Sequence, residues 1–196
     1  MATYHAIAAT GQAIIQLLTE AWPRDEFPKA KFELYQFNAE EKQLEEGILL
    51  HLYRVSVNAA RRNTPPTFGR DGRASGPLLP LELYYLLIPF GTTPDTQQRL
   101  LGWAMRVLED TPVLPSGMLN YPGPETDTFR PNETVELVFD PISLQDMSNI
   151  WDIVKPKAQL CVPYMARIVE IESQVPLTEA RPVQTRVFDS VKRPML

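Results

Sequence analysis

The order of apolar patterns along the chain predicts an α/β fold: a single mixed β-sheet with about three helices packed on it, a pattern that also admits an α+β arrangement. Three observations predict it. First, Leu79 to Ile88 is almost continuously apolar, as a strand covered on both faces must be, and Pro89-Phe90-Gly91 ends it. Second, a helix follows directly. Thr92-Thr93-Pro94-Asp95 supplies a hydroxyl cap, an early proline and a first-turn acid, and Leu100, Leu101, Ala104, Val107 and Leu108 recur at helical spacing. Third, shorter alternating segments are interleaved with two further helical ones, so each sheet face has a partner layer. Neither half of the strand–helix pair hides its apolar surface alone, which places it at the centre of the core.

In chain order, residues 4–22 read as the first helix: Ile7, Gly11, Ile14, Leu18 and Trp22 form one stripe, Ile15 widens it and Pro23 closes it. Residues 32–37 alternate as a half-buried strand. Asn38 to Gly47 sets Glu40, Glu41, Glu45 and Glu46 against Lys42, and this short acidic link predicts a hairpin with the strand Ile48 to Val57. Ala59 to Pro77 reads as a long irregular insertion, with Arg61, Arg62, Arg70 and Arg73 against Asp71. The central pair comes next. A second irregular Pro/Gly-rich loop, Pro112 to Pro131, leads to an alternating strand at 133–139. Ser143-Leu144-Gln145-Asp146 reads as a capping box opening a helix that buries Met147, Ile150, Trp151 and Val154, with Pro156 as its stop. Leu160 to Ile171 is the last strand, with Tyr164, Ala166, Ile168 and Glu170 on one face and Met165, Arg167, Val169 and Ile171 on the other. Residues 1–175 therefore form one domain, and 176–196, with Pro176, Pro182 and Pro194, a tail ordered against a neighbour.

The chain's 196 residues are 44% hydrophobic and 22% charged, which describes an ordinary globule. Its net charge of -5 argues against nucleic acid as a partner, because phosphate contacts need a basic surface. One cysteine, Cys161, excludes an internal disulfide framework. No apolar run reaches the length of a membrane helix, and no secretory leader precedes the first helix.

The residues that carry chemistry are sparse. Phosphate-cradling glycine loops and nucleophile elbows are absent, and His5 and His51 stand alone, so no metal and no cofactor is expected. Cys161 reads as a core residue. An enzyme built from dispersed polar groups such as Tyr84, Arg99, Asp152 and Tyr164 is the weakest reading. Partner contacts are the stronger one. Arg61, Arg62, Arg70 and Arg73, with Phe68 as an apolar anchor, suit an acidic surface. Trp103 lies off its helix stripe, as a side chain facing a partner subunit would. Val183-Gln184-Thr185-Arg186-Val187-Phe188 alternates as a segment able to add a strand to a sheet edge, with Val183, Arg186, Val187 and Phe188 as its contacts.

Three segments, taken together, carry a resemblance. Leu81 to Phe90 with Gln97 to Met105, Val135 to Phe139 with Ser143 to Trp151, and Leu160 to Ile171 resemble, in order and spacing, the N-terminal domain of the tail-terminator (cap) proteins of extracellular contractile injection systems, which are phage-tail-like particles. The resemblance spans roughly residues 1–175. It implies a tail-terminator-like fold and a non-enzymatic role: a homo-hexameric ring that binds sheath and inner-tube subunits, closes their end and stops polymerisation. It also implies assembly in the cytoplasm into a particle open to release. A soluble adaptor that binds a peptide along a sheet edge is the alternative from another class.

Overall fold

The computed structural model describes residues 2–36, 45–62, 65, 67–68, 74–120, 127–154, 160–175 and 177. Six strands make one sheet in the order β1-β2-β5-β8-β7-β6, where β1 is Lys31–Leu34, β2 Gly47–Val57, β5 Leu79–Phe90, β6 Val113–Pro115, β7 Thr134–Phe139 and β8 Val162–Ile171. The first pair is parallel and the rest antiparallel. A second sheet is a two-stranded ribbon of β3 (Thr67–Phe68) and β4 (Ala74–Ser75). The helices are α1 (Ala6–Glu20), α2 (Pro94–Asp110), the single turn α3 (Ser116–Leu119) and α4 (Leu144–Val154).

The central pair stands where its composition requires. β5 has five neighbours in the sheet order, two on one side and three on the other, and Leu83 to Ile88 are buried throughout. Thr93 caps α2, its Oγ1 accepting from the Thr96 N–H at 3.1 Å with Pro94 beside it, and Leu100, Leu101, Ala104 and Leu108 are buried. One sheet face carries Ile48, Leu50, Leu83, Tyr85, Leu87, Val135, Leu137 and Tyr164 into the main core under α1, α2 and α3. The alternate residues Leu49, Leu86 and Ile88 meet Trp151, Met147 and Ile150 of α4. That second layer covers one end of the sheet only. Ser143 does cap α4, its Oγ accepting from the Asp146 N–H at 3.1 Å, whereas the Val154 side chain lies outside the described residues.

Four expectations need correction. The 32–37 strand ends at Leu34 and runs parallel to β2, Phe32 opposite Ile48, so there is no hairpin. The link over 35–46 is about the dozen residues that a parallel crossover needs, and local sequence cannot distinguish that return from a turn. The insertion 59–77 is not irregular throughout: it holds a 3-10 turn, Ala59–Arg61, and the β3–β4 ribbon. The 112–131 loop likewise contributes β6 and α3, because Leu114 and Leu119 find core to bury. In β8, Leu81 pairs with Val169 but Glu82 with Arg167, so Ile168 bulges. The buried series is therefore Tyr164, Ala166, Val169, not the strict alternation.

The two flanks of the sheet differ. β6 is three residues long and ends in Pro115, which has no N–H to offer. β1 covers β2 only from Gly47 to Leu50, and among the described residues the outer edge of β2 from Leu52 to Val57 has no strand beside it.

Candidate partner-docking surface

Of the groups assigned to partner contact, Arg61, Arg62 and Phe68 lie near the end of the sheet where β8 runs out. The chain leaving β8 is held on one side by Ala2, whose N–H donates to the Glu170 carbonyl at 3.1 Å and whose carbonyl accepts from the Glu172 N–H at 2.8 Å. It then adds to the ribbon. The Gly76 N–H donates to the Val175 carbonyl at 3.3 Å, and the Leu177 N–H to the Ala74 carbonyl at 2.9 Å, a reciprocal pair of antiparallel type. Gly76 permits this approach, since a β-carbon there would stand 3.1 Å from the Ser173 hydroxyl oxygen. The root of the tail and the arginine-rich insertion are thus one built unit, which nothing in the sequence pattern foretold.

Ion pairs fasten that unit to the sheet. Arg61 Nη1 lies 3.0 Å from Glu170 Oε1. Arg130 Nη2 donates to Glu172 Oε2 at 3.2 Å and to the Phe68 carbonyl at 3.4 Å, tying the ribbon to the end of β8. Glu172 is largely covered, so this pair is less screened than a surface one. Arg130 Nε is buried with no partner among the described residues. A shallow cavity of about 440 Å³ opens beside them, lined by Arg61, Arg130 and Arg167 and by Glu133, Glu136 and Glu170. Its charges are balanced, so it has no preference for an anion. Arg167 grips Glu136 with both Nε (2.9 Å) and Nη2 (3.3 Å), and that hydrogen bond holds the Glu136 carboxyl below its ordinary range.

The half of the second sheet face that α4 leaves open is polar and fully paired. Glu82 accepts from Tyr84 Oη at 2.8 Å, Asn58 Nδ2 at 2.9 Å and Ser56 Oγ at 3.3 Å. The Arg54 guanidinium lies 3.7 Å above the Tyr84 ring. Tyr53 Oη donates to Asp140 Oδ2 at 3.3 Å, and burial first, then the Asp140 charge, pushes this phenol up to about 12.

Of the residues singled out from sequence, Arg61 and Phe68 come together at the ribbon. Arg61 is engaged by Glu170, while Phe68 is 69% exposed. Arg62 is exposed beside them. Arg70, Arg73, Val183, Arg186, Val187 and Phe188 lie outside the described residues. Trp103 sits elsewhere, on α2 over the far flank, with its ring centroid 5.5 Å from that of Phe32. Packing against its own β1 accounts for its place off the stripe. The groups of the enzyme reading are scattered: Tyr84 and Tyr164 point to opposite faces, Asp152 is exposed on α4, and Arg99 is paired with Glu26. Cys161 is partly covered, its thiol pushed up to about 11 by burial. Among the described residues no group of three or more His, Cys, Asp or Glu could hold a metal ion, and no helix is long and apolar enough to cross a membrane. Glu170, Glu172 and Arg130, which do the fastening, were missed because each is an ordinary charged residue until the fold unites them.

The comparisons with known proteins fit this architecture. The sequence profile described as the Pvc16 N-terminal domain matches residues 9–185. Among solved structures the fold is similar to the PVC sheath/tube terminator of an extracellular contractile injection system in its extended state, at 15% identity and a TM-score of 0.55, over 94% of this chain and 65% of that one. It is also similar to the tube-terminating cap of the anti-feeding prophage, at 14% identity and a TM-score of 0.55, over 89% of this chain and 59% of that one. The chain thus spans less than two thirds of the length of either. No curated protein matches the sequence significantly.

Proposed function

This chain belongs to the Pvc16 N-terminal domain family, and we infer that it is a structural terminator, which caps the inner tube and sheath of a contractile injection particle and stops their growth. The observation that carries this is the match along residues 9–185, joined to a fold shared over nearly the whole chain with two capping proteins of such particles. The geometry supports it. A terminator must bind the last subunits of a polymer by surface shape, and the ribbon with the root of the tail carries exposed Phe68 and Val175 as apolar contacts.

The finer reading is a homo-hexameric ring, non-enzymatic and without cofactor, assembled in the cytoplasm. Arg62, Arg70 and Arg73 meet acidic sheath or tube rims, and the tail beyond Leu177 reaches a neighbour. Head-to-tail contacts that close on themselves halt lateral growth while leaving one ring face for the tube.

Assembly of tube and sheath subunits with and without this chain, measured by electron microscopy, tests the proposal. Uniform lengths with a disc of density at one end are expected when it is present, and ragged, unlimited tubes when it is absent. Identical length distributions in both samples refute it.

A further inference from the structure

We propose that the strand position beside Leu52 to Val57 of β2, which no described residue fills, is the seat for residues 183–188 of a second copy of this chain. The inference rests on the self-assembly part of the reading above and names its contact.

The seat is unfinished in three independent ways. β1 stops at Leu34, opposite Leu50, and among the described residues no strand continues along β2. Val55 and Val57, which point to the α1 side opposite Leu83 and Leu81, are each 43% exposed, whereas Ile48 and Leu50 earlier in the same strand are buried. Beside them, between α1 and β2, lies a cavity of about 340 Å³ lined by Ile7, Ala8, Leu34, Leu50, Leu52 and Tyr85. The Tyr85 hydroxyl there is buried with no hydrogen-bond partner among the described residues. A long open edge next to an apolar groove with an unmet polar atom is a combination that monomers usually cover.

The occupant is argued from its pattern and its reach. Val183, Thr185 and Val187 are β-branched and recur with period two, so one face of the added strand covers Val55, Val57 and Leu52, while Gln184, Arg186 and Phe188 fall on the other face. Six residues match the six from Leu52 to Val57. A chain's own tail is badly placed for its own seat. At Leu177 it runs antiparallel to β4, opposite in direction to the chain that feeds β5, so a return needs a reversal. Residues 178–182 contain no glycine and include Pro182, poor material for one. A neighbour's tail needs no such reversal.

The test mixes two full-length variants in a Cys161→Ala background, one with Val57→Cys and one with Val183→Cys, under mild oxidation. A disulfide-linked species of twice the chain mass, in the mixture alone, is expected. Cross-linking no better than that of Val183→Cys with Asp110→Cys, on the far end of α2, overturns the proposal. So does an intramolecular bond in a diluted chain carrying both cysteines. Should Val57→Cys fail to fold, Val187→Pro in the otherwise native chain serves instead. Self-association by light scattering should weaken roughly tenfold or more, because proline removes a ladder donor and blocks pairing, and unchanged association overturns the proposal. Tube capping is scored in parallel: capping without the cross-link refutes the seat alone, and the cross-link without capping refutes the terminator reading alone.

Discussion

At the scale of single residues, the sequence names the groups but seldom their partners. Thr93 and Ser143 were legible as caps because capping is local, set by a hydroxyl three residues ahead of the amide it receives. Glu170, Glu172 and Arg130 were not, since their meaning depends on contacts across 42 to 109 positions of chain. Gly47 belongs with them. Its φ of +149° and the Lys31 carbonyl oxygen, which a β-carbon would approach to 1.9 Å, show a demand for glycine that no turn motif announced. Two tyrosines give a consequence measurable in solution. Tyr53 and Tyr164 are both pushed up to about 12, chiefly by burial, with Asp140 and Glu109 adding to it. Their neutral forms are favoured in the fold, so their contribution is whole below the ordinary tyrosine value near 10 and is lost as pH climbs toward 12. Denaturant unfolding should show stability falling over that interval, with a shallower fall in Tyr53→Phe and Tyr164→Phe. A profile unaltered by both changes would contradict the assignment.

At the scale of elements, legibility followed burial. β5 and α2 were read correctly because a strand buried on both faces and a helix with one apolar stripe each leave a long, one-valued pattern. β6 and α3 were hidden by the prolines around them, though Leu114 and Leu119 are as buried as any core residue. β1 was found but paired in the wrong sense, as its four residues carry no information on direction. The ribbon is the most consequential omission. It is held by a close approach at Gly76, and this predicts a clean separation. Gly76→Val should push Ser173 away, break the pairing of Val175 and Leu177 with β4, and raise amide exchange at Leu177 by about tenfold or more, while core amides in β5 keep their protection. Equal protection at Leu177 in variant and parent would show that the tail is held by something else.

At the scale of the whole molecule, the fold joins the described part of the arginine-rich insertion and the root of the tail at Leu177 into one braced unit. That changes which charges are free to dock. Arg61 is committed to Glu170, so reversing it would damage the brace as well as any contact. The informative variant reverses Arg62, Arg70 and Arg73 to Glu and leaves Arg61 alone. Attachment to tubes or sheaths should weaken strongly at low salt and little at high salt, since exposed charges are screened beyond about a Debye length. A loss independent of salt, or none, would remove these arginines from the interface. The surface was only partly readable beforehand: the resemblance implied a capping role, whereas the flank of β2 left open among the described residues depends on where β1 ends.

The proline that closes β6 has a corollary. One flank of this sheet is short and lacks a donor at Pro115, and among the described residues the other is open beside Leu52 to Val57. Copies joined by such a contact, one plug and one socket each, form a closed circuit rather than a fibre only where the rotation between neighbours closes. Protection from runaway aggregation and the ability to make a lid would then be a single inherited trait.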